Sequence, residues 1–188
     1  MPNLYIIAGC NGAGKTTASY TILPEILNCL EFVNADEIAK GLSPFQPETV
    51  SFEAGRIMLE RISNLLNDGN DFAFETTLST RSYVSFIKKA KSKGYFVTLI
   101  YFWLSSPELA IDRVRKRVKS GGHNIPDEII LRRYDRGLVN LTNLFIDTCD
   151  FCMLFDNSEN GSRIIAKGSD KESMEILDFL VYNKIIKR

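Results

Sequence analysis

The chain has 188 residues, 45% of them apolar, which is enough to build one domain with a substantial core. Its 23 basic and 23 acidic residues balance, and a neutral chain argues against a broad surface for nucleic acid or membrane. No apolar stretch approaches the roughly 20 residues of a membrane span, and no signal segment precedes the first predicted strand. We therefore expect a cytoplasmic protein with a single domain over residues 1–188 and a small-molecule partner.

A glycine-rich segment directly follows the first predicted strand, the apolar run at 4–8. It reads Gly-Cys-Asn-Gly-Ala-Gly-Lys-Thr-Thr and fits the phosphate-binding pattern G-x-x-x-x-G-K-[ST] in its strand-to-helix context. Glycines let backbone N–H groups close around phosphate oxygens, and the helix N-terminus faces the same anion. ATP and Mg²⁺ are thus the expected cofactors, with Lys15 on the β- and γ-phosphates and the Thr16 hydroxyl on the metal. The predicted nucleotide-binding residues here are Gly9, Asn11, Gly12, Ala13, Gly14, Lys15, Thr16 and Thr17.

Beyond this segment, short apolar runs alternate with amphipathic stretches. The run at 95–104 is almost wholly apolar, which is typical of a central parallel strand buried on both faces. A basic helical stretch follows, and Gly121-Gly122 separates it from a second helix that Pro126 starts. This pattern predicts a basic helical hairpin with a glycine hinge, a lid over about residues 113–136. The other elements predicted up to residue 155 are strands at 31–34, 72–74 and 151–155 and helices at 47–66 and 80–93.

The last part of the chain predicts an edge of the sheet. Asn160-Gly161 is a turn signal before 163–167, which favours an added antiparallel strand, and a final helix is predicted over about 171–184. Strands that alternate with helices, with the glycine-rich loop after the first strand, predict an α/β fold. Its type is a P-loop NTPase three-layer sandwich with a mostly parallel five-stranded sheet and a helical lid, binding ligands at the carboxyl ends of the strands.

Two acidic residues follow predicted strands and suggest phosphoryl transfer, which needs an acceptor, a carboxylate for its proton and cations for the developing charge. Asp36 is the candidate base, and the alternative is that it caps the following helix. Glu75 is a candidate for binding the acceptor's hydroxyls or for holding Mg²⁺ through water, the alternative being a solvated acid at a strand end. Thr77 is a weaker candidate of the same group.

The arginines of the predicted lid supply the cations. Arg117 and Arg133 are the choices for phosphate contact, although most charged residues on helices face water. His123, the only histidine, is interpreted as a lid-hinge contact rather than a general base. The predicted catalytic residues are Asp36, Lys15 and Arg117, and the predicted substrate-binding residues are Asp36, Glu75 and Thr77.

Taken in order, these segments resemble the zeta toxin family of P-loop kinases, in particular its short bacterial relatives. The glycine-rich loop is shared by many NTPases, whereas the ordered set is more specific. The segments that carry the resemblance are the loop at 9–17, Asn-Ala-Asp-Glu-Ile-Ala at 34–39, Phe-Glu-Thr-Thr-Leu at 74–78, the stretch 117–126, and Arg-Arg-Tyr at 132–134.

The resemblance implies ATP-dependent phosphorylation of a sugar hydroxyl on UDP-N-acetylglucosamine. Under it Asp36 matches the family's base, and Glu75 and Thr77 match its sugar-binding Glu-x-Thr element. Arg117 lies near the family's first lid arginine, while Gly121-Gly122 and His123 stand where the second usually lies. An antitoxin is a partner found in this family that the sequence alone does not identify here.

Three other functions remain open at this level. The chain is a candidate for another small-molecule kinase, acting on a nucleoside, a sugar acid or an antibiotic. A nucleotide-dependent switch or binding module is a second class, although the N-K-x-D element of guanine-binding switches is absent, since 183–186 reads Asn-Lys-Ile-Ile. A polynucleotide kinase is the third, because the lid is basic while the whole chain is neutral.

Overall fold

The computed structural model describes residues 1–119, 121–122, 124–159 and 161–187. Its centre is a seven-stranded sheet in the order β2-β3-β1-β4-β5-β6-β7. The first five strands in the chain pair in parallel and the last two pair antiparallel. The strands are β1 Asn3–Gly9, β2 Phe32–Val33, β3 Phe72–Thr76, β4 Phe96–Trp103, β5 Phe151–Asp156, β6 Arg163–Gly168 and β7 Glu175–Ile176.

Helices connect the parallel strands, because strands that run in the same direction need a crossover connection. Two of them end in π-helical turns, at Ile22–Ile26 and Leu141–Phe145. Pro47 begins a 3₁₀ turn over Pro47–Val50 that leads into the third helix. In the described part of the chain no helix is both long and apolar enough to span a bilayer. The helices are α1 Lys15–Thr21, α2 Ala35–Leu42, α3 Ser51–Asp68, α4 Tyr83–Ser92, α5 Pro107–Lys119, α6 Asp127–Asn140 and α7 Phe179–Ile186.

The sheet confirms the predicted α/β P-loop fold with five parallel strands. Every residue of β4 after Phe96 is buried, which fits a central strand covered on both faces. β1 lies between β3 and β4, so that Ala8 pairs with Thr76 and Gly9 with Phe102. The carboxyl ends of these strands therefore meet at one edge, where the glycine-rich loop begins.

The predicted final helix over 171–184 is wrong in its first half. The Asp170 carboxylate accepts hydrogen bonds from the backbone N–H groups of Glu172 and Ser173, which stabilises a turn. β7 then adds a second antiparallel strand to the one that was predicted. Helix α7 begins only after Asp178, whose carboxylate accepts from the Val181 N–H at 3.0 Å as the N-cap.

Candidate active site

The glycine-rich loop has the backbone that a phosphate cradle needs. Gly9, Gly12 and Gly14 all have positive φ, at 144°, 79° and 82°. A Cβ at Gly9 would collide with the Phe102 carbonyl oxygen, and one at Gly12 would lie 2.8 Å from the Ala110 carbonyl oxygen. Side chains are thus excluded on both conformational and steric grounds, and the loop's N–H groups remain close to α1 and its positive end.

Two side chains outside the predicted set hold the segment after β5 against the loop and α5. The Asn157 Nδ2 donates to the Ala13 carbonyl at 2.7 Å, and the Asn157 N–H donates to the Trp103 carbonyl at 2.9 Å. Arg113 on α5 donates from Nη2 to the Ser158 carbonyl at 3.0 Å. The segment after β5 is therefore tied both to the phosphate loop and to α5. Only the position of Asn157 after a parallel strand could have indicated this role from the sequence.

Lys15 and Thr16 are held by one carboxylate, that of Glu75 at the end of β3. The Lys15 Nζ lies 3.4 Å from the Glu75 Oε1 and donates to the Cys10 carbonyl at 2.9 Å, while Lys15 is only 6% exposed. The Thr16 hydroxyl donates to the Glu75 Oε2 at 2.7 Å. Burial raises the pKa of the Cys10 thiol to about 11, so Cys10 offers its carbonyl and a neutral side chain.

A buried asparagine, Asn34, connects this carboxylate to α2. Its Nδ2 donates to the Glu75 Oε2 at 2.9 Å, and its Oδ1 accepts from the Asp36 N–H at 2.8 Å. Asn34 is therefore the N-cap of α2, the role considered as the alternative for Asp36. The half-buried Asp36 carboxylate has no hydrogen bond or ion pair within the described residues, and it lines a cavity next to the glycine-rich loop. Asn34 was not among the predicted site residues.

Arg133 reaches the phosphate loop from α6. Its Nη1 donates to the Asn11 Oδ1 at 3.3 Å. Burial lowers the pKa of the Arg133 guanidinium, the Asp36 carboxylate raises it, and Arg132 lowers it again. A half-buried cation thus lies between the loop and Asp36.

The loop, α2, the end of β3 and α5 enclose a cavity of about 510 Å³, called here the phosphate-loop cavity. Arg117 lines it from the last turn of α5. Five lining residues were not among the predicted site residues: Glu37, Lys40, Arg113 and the two glycines of the predicted hinge, Gly121 and Gly122. The lining residues that were predicted are Asn11, Gly12, Gly14, Lys15, Thr16, Thr17, Asp36, Glu75 and Arg117.

Four predicted residues lie outside that lining. Gly9 and Ala13 belong to the loop but are buried, and Arg133 contacts the loop through Asn11. Thr77 is directed elsewhere, since its hydroxyl shares a hydrogen bond of 2.9 Å with the Ser79 hydroxyl. The structure therefore brings the predicted donor-side residues together and separates Thr77 from them.

The predicted lid corresponds to the end of α5 and the start of α6. Arg115 and Asp127 join the two helices by an ion pair of 2.5 Å. Gly121 has a positive φ of 84°, and the Gly122 N–H donates to the Arg117 carbonyl at 2.9 Å. His123 lies outside the described residues, as do Ser120 and the Asn160 of the predicted turn. Closure of this segment stays a prediction.

Comparisons with known proteins agree with this architecture. A family model described as zeta toxin matches residues 1–159. An uncharacterized protein from Haemophilus influenzae is 32% identical over 126 residues, which cover 67% of this chain and 88% of that protein.

Solved structures are similar over nearly the whole chain. A structure of AvrRxo1-ORF1:-ORF2 with ATP superimposes with a TM-score of 0.77 at 19% identity, covering 99% of this chain. The present chain spans 64% of the length of that one. A structure of the PezAT toxin-antitoxin system from Streptococcus pneumoniae has a TM-score of 0.72 at 19% identity, covering 97% of this chain and 77% of that one. At such identities these structures establish the fold alone.

Proposed function

Because this chain belongs to the zeta toxin family, we propose that it is an ATP-dependent small-molecule kinase. The proposed reaction transfers the γ-phosphoryl group to a sugar hydroxyl, with UDP-N-acetylglucosamine as the first acceptor to test. The convergence of Lys15, Thr16, Asp36 and Arg117 on one cavity is the observation that carries this proposal. That combination supplies a phosphate cradle, a carboxylate and a cation, which together are the parts of a phosphoryl-transfer site.

The residues present fit both ATP and magnesium. Positive-φ glycines that exclude a Cβ leave space and N–H donors for phosphate oxygens. The Thr16 hydroxyl and the Glu75 carboxylate are oxygen donors, which a hard cation such as Mg²⁺ prefers. Bound magnesium supplies neutralisation of charge on the phosphates.

The chain's own residues then have separate tasks. Lys15 exchanges its contacts with Cys10 and Glu75 for the β- and γ-phosphates. Asp36 accepts the proton of the acceptor hydroxyl as that oxygen bonds to the γ-phosphorus and the bond to the β–γ bridging oxygen breaks, leaving ADP. Arg117 and Arg133 balance the charge that develops on the transferred group.

The acceptor side is proposed from the family resemblance together with position. Glu75 and Thr77 belong to one short segment at the end of β3, and ligands of such sheets bind at the carboxyl ends of the strands. Glu75 also contacts Thr16, so it lies at the junction of the donor and the acceptor.

A protein partner is a second proposal within this function. The PezAT structure is described as a toxin-antitoxin system, and an antitoxin is the corresponding candidate here. Induced expression of this chain in a bacterial host is expected to stop growth, and expression of Asp36→Asn is expected not to. Equal growth of both cultures would argue against toxicity and would leave the kinase proposal unaffected.

The decisive experiment is an acceptor panel. Purified protein with Mg·ATP is incubated with UDP-sugars, nucleosides, sugar acids and an oligonucleotide, and products are identified by mass. We expect the mass of a UDP-amino sugar to increase by ~80 Da, the mass of a transferred phosphoryl group. Asp36→Asn serves as the control for contaminating kinases. Phosphorylation of a nucleoside or sugar acid would move the proposal to that acceptor, and phosphate release alone would contradict transfer.

A further inference from the structure

A second cavity of about 590 Å³ lies between the segment that follows β3 and helix α6. We call it the α6 cavity. Its lining includes the hydroxyl residues Ser79 and Thr80 and the charged residues Arg81, Asp135 and Arg136. None of the predicted catalytic, nucleotide-binding or substrate-binding residues lines it, although Arg136 lies at the end of the predicted lid. Ser79 connects it to the proposed acceptor segment, because its hydroxyl is bonded to that of Thr77.

The wall of this cavity is held by specific contacts. Gly137 of α6 packs so closely that a Cβ there would lie 2.6 Å from the Thr77 carbonyl oxygen. The Asn140 Nδ2 donates to the Leu78 carbonyl at 2.7 Å. Leu78 is fully buried and has a φ of 55°, a left-handed conformation that non-glycine residues rarely adopt. Such backbone persists only where the surrounding structure holds it, and it is concentrated at ligand sites.

Several polar groups of the α6 cavity have no partner in the described part of the chain. The exposed guanidinium groups of Arg81 and Arg136 form neither an ion pair nor a hydrogen bond there. Asn140 is only 5% exposed, and its Oδ1 accepts no hydrogen bond from a described residue. Buried polar atoms nearly always have a partner, so this oxygen indicates a donor supplied from the cavity.

We propose that the α6 cavity binds the anionic end of the phosphoryl acceptor through Arg81 and Arg136. Guanidinium groups favour the planar, bidentate geometry of phosphate or carboxylate oxygens. The Asn140 oxygen then accepts from a hydroxyl or amide N–H of the same molecule. The ligand class is a hydroxylated small molecule that carries a phosphate, diphosphate or carboxylate. Asp135 also lines the cavity and favours a ligand that offers hydrogen-bond donors beside its anion.

Helix α6 extends from the phosphate loop to the α6 cavity. Arg133 contacts the phosphate loop, and Arg136 and Asn140 follow it by three and seven residues, on one side of the helix. Seven residues correspond to about 10 Å of helix. The anchored anion and the reacting hydroxyl therefore belong to different ends of the acceptor. This inference rests on the proposed kinase function, because it names the class of acceptor for that site.

The test separates binding from turnover. The protein is first saturated with Mg²⁺ and a non-hydrolysable ATP analogue, so that the phosphate loop cannot capture the probe. Isothermal titration calorimetry then measures the affinity for UDP-N-acetylglucosamine, glucose 6-phosphate, gluconate and neutral N-acetylglucosamine. The variants are Arg81→Gln, Arg136→Gln and the double variant, and the control is Arg56→Gln, an exposed arginine on α3. Analogue affinity and circular dichroism confirm that each variant is folded.

We expect at least one anionic probe to bind, and neutral N-acetylglucosamine to bind at least tenfold more weakly. Each single variant should raise the Kd of that probe by about tenfold, the scale of a lost charge-assisted hydrogen bond, with no change in Arg56→Gln. The ranking of the diphosphate, monophosphate and carboxylate probes identifies the anion. Wild-type affinity in the double variant, equal binding of neutral and anionic probes, or no binding of any probe would overturn the proposal.

Turnover is measured separately on the same samples. If an anionic probe binds through both arginines and no panel compound is phosphorylated, the α6 cavity is an anion-binding site and the proposed kinase function fails. If a neutral sugar is phosphorylated at the same rate by wild type and the double variant, the kinase function stands and this inference fails.

Discussion

The phosphate-loop cavity and the α6 cavity are built in different ways. In the first, backbone dominates: positive-φ glycines shape the loop, and buried side chains such as Lys15 and Asn34 complete it. In the α6 cavity, the arginines are exposed side chains, and close packing fixes the backbone that carries them. A triphosphate is the same in every kinase, whereas acceptors differ between kinases. The comparison therefore suggests that the first cavity carries the general chemistry and the second carries specificity.

Lys15→Ala should have the largest effect, because it removes the buried cation from the β- and γ-phosphates. Turnover of ATP is expected to fall by about 10³-fold or more while the fold is retained. Steady-state ADP release and circular dichroism measure the two properties, and Lys88→Ala, an exposed lysine on α4, is the control. Wild-type turnover in Lys15→Ala would show that the loop does not take part in catalysis.

Asp36→Asn tests the proposed base next to the loop. Acceptor phosphorylation should fall by about 10²-fold, the scale of a lost general base, with ATP affinity kept within a few-fold. The neighbouring Glu37→Gln is a matched control, since Glu37 lines the same cavity but is paired with Lys40. If ATP affinity in Asp36→Asn falls as much as acceptor phosphorylation, Asp36 would instead be assigned to Mg²⁺ binding.

Glu75→Gln tests the proposed junction of the phosphate donor and the acceptor. If Glu75 binds acceptor hydroxyls, the variant should raise the acceptor KM by about tenfold and change the nucleotide Kd less. Kinetic titrations of acceptor and of Mg²⁺ distinguish the roles. A higher requirement for Mg²⁺ with an unchanged acceptor KM would assign Glu75 to the donor side, where it contacts Thr16.

Arg117→Ala tests the lid. Its kcat should fall by more than its ATP Kd rises, because the guanidinium matters most as charge develops in the transition state. Lys119→Ala is the control on the same helix, since the exposed Lys119 does not line the phosphate-loop cavity. Hydrogen exchange over residues 113–136, with and without nucleotide analogue and acceptor, is an independent measure. Unchanged protection with both ligands bound would rule out closure.

Asn157→Ala should have the smallest effect. Loss of the bond to the Ala13 carbonyl is expected to lower the free energy of unfolding by about 1 kcal/mol and to weaken ATP binding slightly. Thermal denaturation with and without nucleotide measures both. Asn183→Ala removes an amide-to-carbonyl bond within α7 and should leave nucleotide affinity unchanged. Equal effects of the two variants would mean that Asn157 does not brace the loop.

The donor half of the site could be predicted from the sequence because its geometry is local. The loop pattern spans eight residues, 9–16, and its glycines, lysine and threonine act within that span. Alternating apolar runs likewise predicted five parallel strands, since a buried strand needs apolar side chains on both faces. Asp36 and Glu75 could be named because strand ends mark the ligand edge of such a sheet.

Long-range packing decided the remainder. Asn34 becomes a helix cap bonded to Glu75, 41 residues away, and Asn157 reaches Ala13 across 144 residues. The start of α7 depends on how the chain after β6 turns back and pairs with the sheet as β7. The helical spacing of apolar residues over 171–184 does not predict that pairing. The close approach of Gly137 to the Thr77 carbonyl packs α6 against the segment after β3, so that Arg81 and Arg136 line one cavity. Such contacts depend on tertiary packing because each joins residues that no local spacing relates.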